Sequence, residues 1–336
     1  MLHRLHGLIV LLALLCVAPA VAQAQAQAQS GAPAPGRKGA PQEAAEPLRE
    51  ALRLLDTIRV SNLEPPWRAN ACARVARVLA RIGDAAAARQ MSQSAINANA
   101  EPVKTAPPPA ISPGVIFALL VQTHADLHDV AVVQQLAQQG FPILAKLPDP
   151  ATRANMLPYM GLGLADIGNT EGAGRAALEG LRAATQTPPG RDQIGALSLV
   201  TIVQAKIGDR ASANDTIQIT RQAAEKMQDV TGRVYALAHL SRAEAALGNQ
   251  DRARTLAREA AGAYDRTQTD ASFSLAQRVS ALGLVAIAQS EAGDRNAAHQ
   301  TVRALQQTVG QLMQTYERFQ ALITLVETIV LVDRLP

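Results

Sequence analysis

The chain has 336 residues, 48% hydrophobic but only 3% aromatic, and its 32 Lys and Arg against 28 Asp and Glu give a net charge of +4. Alanine supplies much of the apolar content. That suits closely packed helices and argues against a β-sandwich, whose strands prefer β-branched and aromatic side chains. The basic residues are spread along the chain rather than clustered, so no nucleic-acid partner is expected.

Residues 1–22 read as a cleavable signal peptide. His3, Arg4 and His6 precede the apolar run Leu8–Val17, and Ala20-Val21-Ala22 supplies a small-x-small cleavage pattern, placing the cut after Ala22. The run is too short to span a bilayer, so no membrane span is expected after cleavage. Leu15 before Cys16 argues against lipid attachment. A periplasmic location follows as an expectation. Cleavage removes Arg4 and Cys16, leaving a net charge of +3 and one cysteine, Cys72. It has no internal disulfide partner and reads as buried and inert, with a reactive or intermolecular thiol as the alternative. Residues 23–42 alternate Gln and Ala and pass into an Ala-Pro stretch, a disordered linker in composition. The folded domain is expected over 43–336.

Glu43–Val60 is an amphipathic helix. Beyond it a marker recurs: Gly83-Asp84, Gly168-Asn169, Gly208-Asp209, Gly248-Asn249 and Gly293-Asp294. The last four are separated by 40, 40 and 45 residues, and the first gap of 85 predicts a hidden copy at His128-Asp129. Five residues after each marker glycine stands Ala88, Ala173, Ala213, Ala253 or Ala298, with Val133 in the hidden copy. Fifteen residues before four of the markers stands Arg68, Arg153, Arg233 or Arg278, and Arg318 continues the series toward Asp333. The segment from Tyr316 to about Leu331 is therefore a C-terminal half repeat, and Glu43–Val60 an N-terminal one. Pro102–Pro113 is an extended loop. Pro148, Pro150, Pro188 and Pro189 end helices, and Pro158 is expected to kink one.

Each marker has a physical reading. Glycine after a helix takes the left-handed conformation without a Cβ penalty. The Asp or Asn behind it accepts hydrogen bonds from the free N–H groups of the next helix. Apolar residues recur at helical spacing on both sides, such as Leu237, Leu240 and Leu247 before a turn and Leu256 after it. One hairpin cannot bury its apolar face alone, but stacked hairpins can, with the half repeats covering the exposed ends.

The stretch Gly161-x6-Gly168-Asn169-x3-Ala173, with Ala95 and Ala260 twelve residues past their turn glycines, resembles the tetratricopeptide repeat family, although the period here is 40–45 rather than 34. The expected fold is all-α, a right-handed α-solenoid of about six antiparallel helix hairpins with half repeats at both ends. The resemblance implies a concave binding surface and protein–protein interaction. It places Asn70, Arg77, Arg81, Gln122, Asn155, Asp166, Lys206, Tyr235, Arg242 and Glu291 on the groove.

Chemistry-bearing motifs are sparse. His124 and His128 share a helix face, but Ala125 stands where a zinc protease needs Glu, and the pair falls on a marker turn. A structural role is expected there, with metal binding as the alternative. Gly161-Leu162-Gly163 follows a helical pattern, not a strand, and so reads as helix packing. His239 and His299 are isolated. Trp67, the single tryptophan, supplies little stacking surface. No catalytic residue, cofactor or metal is assigned. The recurring Arg has two readings: a cap on the carbonyls of the preceding helix, or a ladder facing an acidic ligand. The expected function is a non-catalytic periplasmic scaffold or adaptor that holds a protein or peptide partner, in envelope assembly, secretion or polysaccharide export. The alternatives are an envelope glycan-modifying or lytic helical enzyme, for which Glu291 is the candidate acid, and a peptide-binding chaperone.

Overall fold

A computed structural model describes residues 41–60, 64–101, 111–227, 229–267 and 273–334. The signal peptide, nearly all of the linker and the Pro107-Pro108-Pro109 part of the loop lie outside these residues. Fourteen helices and no strands occur among them. They are α1 Gln42–Val60, α2 Pro65–Ile82, α3 Ala85–Asn99, α4 Pro113–Asp126, α5 Val130–Ala145, α6 Pro150–Asp166 and α7 Thr170–Gln186. Then follow α8 Arg191–Lys206, α9 Arg210–Glu225, α10 Val230–Ala246, α11 Gln250–Thr267, α12 Leu275–Glu291, α13 Arg295–Gly310 and α14 Thr315–Arg334. None is long and apolar enough to cross a membrane.

Six consecutive hairpins run from α2–α3 to α12–α13, with α1 and α14 as the expected halves. The backbone of the marker turn is the same at every copy. The marker glycines have φ between 77° and 93°. In each turn the N–H of the following residue reaches back five residues to a helix carbonyl, as from Asp84 to Leu79, Asn169 to Leu164 and Asp209 to Gln204, each at 2.9 Å. The side chains of Asp84, Asn169, Asp209 and Asp294 then accept from the N–H three residues on. The alanines five residues past the glycine are fully buried, as is Val133. The hairpin is thus written into the local chemistry of the turns.

The hidden copy is real. His128 takes the left-handed conformation at φ 59°, and Asp129 N–H reaches the His124 carbonyl at 2.9 Å. Asp129 makes no side-chain cap, because Arg89 and the His124 ring occupy its carboxylate. A non-glycine residue in this conformation costs about 1–2 kcal/mol. His128→Gly is therefore expected to raise stability by roughly 0.5–1 kcal/mol, allowing for the extra freedom of glycine in the unfolded chain. Urea denaturation reads it, and an unchanged midpoint would count against strain at this turn.

Pro158 sits inside α6, which runs on through it. Room for its ring comes from α7, where a Cβ on Gly180 would lie 2.6 Å from the proline Cδ.

The two half repeats cover their exposed faces by pairing with each other. α14 packs extensively against α1 and touches α2, while each even-numbered helix from α2 to α14 packs against the next. The stack therefore closes into a ring of seven hairpins. The even-numbered helices form the inner wall, and the odd-numbered ones lie outside. The seventh hairpin joins the two ends of the chain, with α1 as its outer helix and α14 as its inner one. Leu48, Leu52 and Leu55 of α1 are at most 1% exposed, and Phe319 of α14 is fully buried. Trp67 meets the Tyr316 ring edge-on at 5.5 Å, and Arg318 Nε donates to Glu50 at 2.6 Å. Burial of each leucine contributes about 2 kcal/mol, so the seam is a substantial apolar joint.

Candidate functional site

An inner helix packs on its outer partner and on two inner neighbours, which leaves one stripe for the lumen. On α2 this stripe is Asn70, Arg74, Arg77 and Arg81, spaced four, three and four residues apart. All ten groove residues expected from the sequence lie on inner helices. What their side chains do is more specific.

Six of the ten form ion pairs, most of them between neighbouring inner helices. Arg81 Nε bonds Asp126 at 3.1 Å, and Lys206 bonds Asp166. Arg242 donates through Nε at 2.9 Å and Nη2 at 3.1 Å to the two oxygens of Glu291. Arg77 lies 3.7 Å from Glu327 across the seam. Burial alone would raise the Glu327 carboxyl, but Arg74, Arg77 and Arg81 outweigh it and hold the group below the usual carboxylate range. These pairs stitch one repeat to the next near the C-terminal ends of the inner helices.

The remaining four serve packing and the mouth of the ring. Asn70 bonds the Tyr316 hydroxyl, and Gln122 donates to the Tyr159 carbonyl at 2.9 Å. Asn155 donates to the Ala151 carbonyl, and the Tyr235 hydroxyl donates to the Gln277 carbonyl, each at 2.9 Å. Near the N-terminal ends of α8 and α12 a cavity of about 380 Å³ opens, lined by Asn155, Arg191, Tyr235, His239, Gln277 and Ser280 among others. The Arg191 guanidinium stands 5.6 Å over the Tyr235 ring. A Cβ on Gly195 would lie 3.2 Å from His239 Nε2, so this glycine makes room for the imidazole. Burial, reinforced by the charge of Arg242, lowers the His239 pKa to about 3 and keeps the ring neutral.

Sequence reasoning missed Arg74, Asp126, Tyr159, His239 and Glu327 as wall residues. The charge spacing carried a signal. Asp166 and Lys206 are 40 residues apart and Arg81 and Asp126 are 45, so opposite charges stand one repeat apart on equivalent faces.

Three of the five recurring arginines cap the chain behind them. Arg153 donates to the Leu147 carbonyl, Arg278 to those of Phe273 at 2.9 Å and Thr267 at 3.5 Å, and Arg318 to that of Leu312 at 2.9 Å. Arg68 pairs instead with Glu101 at 2.5 Å. Arg278→Ala is expected to lower stability by about 1.5–3 kcal/mol, as for other hydrogen bonds to charged groups. Arg233 is exposed, and Arg233→Ala should stay within about 0.5 kcal/mol. Equal losses in thermal melts of the two variants would contradict this.

His124 is buried and its Nδ1 lies 3.1 Å from Asp129, a structural role at the degenerate turn. Burial lowers its pKa against the pull of Asp129. No group of three or more His, Cys, Asp or Glu able to hold a metal occurs among the described residues. Cys72 is buried.

No family model matches the chain, and no curated protein matches it. Among solved structures, a Rap protein in complex with the competence and sporulation factor is similar over 84% of this chain and 80% of its own, at 12% identity and a TM-score of 0.37.

Proposed function

We propose that the protein is a non-catalytic scaffold of the periplasm that takes a peptide segment of a protein partner into the mouth of its ring. One observation carries the reading. The charged side chains of the inner wall largely neutralise one another, while the mouth offers amide, hydroxyl and aromatic groups beside the Arg191–Asp192 ion pair, around a cavity of about 380 Å³. Such groups match the donors and acceptors of an extended backbone, and they present no activated nucleophile. His239 is held neutral, and both oxygens of Glu291 accept from Arg242, which favours the scaffold reading over the glycan-cleaving alternative. The N-terminal sequence pattern, read as an export signal followed by a linker, motivates the periplasmic placement, and a role in envelope assembly, secretion or polysaccharide export fits that reading.

A photo-crosslinking residue at exposed Ser280, compared with one at exposed Leu178 on the outer helix α7, tests this in envelope fractions. The expected result is a discrete adduct from position 280 alone that disappears in a Tyr235→Ala background. No adduct from position 280, or equal adducts from both positions, would sink the reading.

A further inference from the structure

The stripe on α2 has more positive charge than its surroundings neutralise. Arg74, Arg77 and Arg81 face Glu327 across the seam and Asp126 on α4, three cations against two anions. Arg74 is satisfied: it donates to Gln320 and, at 3.0 Å, to Thr324. The other two are not. Arg77 reaches Glu327 only at 3.7 Å, too far for a hydrogen bond, and lies with its guanidinium 4.9 Å over the Tyr159 ring. Its Nε is buried and makes no hydrogen bond, and the same is true of Arg81 Nη1. Arg81 is only 8% exposed. Burial and the neighbouring guanidiniums lower the Arg77 pKa to about 10.

A buried guanidinium N–H without a partner costs more than the same group in water. Two such donors, one helical turn apart on a wall with one surplus positive charge, describe a site for a monoanion. A carboxylate fits: it is planar, offers two acceptor oxygens and adds the single charge that balances the cluster. A phosphate dianion would overfill the site beside Glu327 and Asp126.

We propose that the Arg77–Arg81 stretch of the inner wall binds one carboxylate group, of the kind a peptide carries at its C-terminus or on an acidic side chain. The assignment of that carboxylate to a peptide rests on the scaffold reading above, whereas the site itself does not. In it, Arg77 and Arg81 each donate to one oxygen, Tyr159 holds the Arg77 plane, and Asp126 holds Arg81 through its Nε.

The test is a titration of the purified protein with sodium propionate at constant ionic strength, following the Arg77 Nε–Hε resonance by NMR. A saturable shift in the millimolar range is expected, and in Arg77→Gln, where the Arg81 Nε–Hε resonance is followed instead, binding weakens roughly tenfold, the loss of about 1.4 kcal/mol. Arg81→Lys keeps the charge but removes the fork, and guards against an unfolded Arg77 variant. No saturable shift with propionate, or saturation by inorganic phosphate at lower concentration, would overturn the proposal. Short peptides with a free or amidated C-terminus, with and without glutamate, then identify the source of the carboxylate. If propionate saturates the site and no peptide binds more tightly than propionate, the carboxylate site stands and the peptide reading falls.

Discussion

Leu52→Ala in α1 is expected to destabilise α14, at the opposite end of the chain. Leu52 is fully buried, and α1 packs mainly on α14. Removing a buried leucine costs about 2–5 kcal/mol, and Phe319→Ala on the facing helix about 3–5 kcal/mol. The informative quantity is where the loss appears. In a closed ring, backbone amides of α14 exchange faster when α1 is weakened, while α6 to α9 on the far side keep their protection. In an open stack, α1 and α14 lie at opposite ends, and Leu52→Ala would leave α14 exchange untouched. Hydrogen exchange read helix by helix separates the two. Unchanged α14 protection in a folded Leu52→Ala variant would refute the seam.

The six hairpins were legible because each turn is local chemistry. Gly and Asp or Asn occupy adjacent positions, and the geometry they impose depends on nothing farther than five residues away. Even the degenerate copy followed from register, since His tolerates the left-handed conformation at a cost. Closure was not legible in the same way. An amphipathic helix shows that it needs a partner, not which one, and Leu48 to Leu55 are separated from Phe319 by nearly the whole folded sequence. The two half repeats carried a clue. The N-terminal one is an outer helix without an inner partner, and the C-terminal one is an inner helix without an outer partner, so each is the half the other lacks. For the wall, the register put polar residues on the helices that line the ring. It did not show that six of them pair across repeats, because that requires the repeat period and the charge sign to be read together. His239 was hidden for a different reason. Its environment comes from Gly195 on α8 and Arg242 on α10, and the space beside a glycine is a three-dimensional property.

His239 also sets a pH dependence. Its pKa is about 3 in the folded chain and near 6.5 when the chain is unfolded. Between these values the unfolded state binds a proton that the folded state refuses, so the contribution of His239 to stability is intact above about pH 6.5 and falls as the pH drops toward 3. From pH 6.5 to 5 the loss approaches about 2 kcal/mol, at 1.36 kcal/mol per unit, less whatever solvent at the cavity mouth screens. His124, lowered by burial, acts in the same direction and adds its own share. Glu327 acts later: its depressed carboxyl contributes stability above the ordinary carboxylate range and loses it only as the pH falls through the folded value. Both histidines therefore lose stability as the pH falls, whereas Asp84 and Asp333, raised by burial, act in the opposite direction. His239→Gln removes one of the two histidines, and its urea midpoint should shift less between pH 7 and pH 5 than that of the parent chain. Identical shifts in the two proteins would mean that protonated His239 is accommodated in the fold, and that burial does not hold this ring neutral.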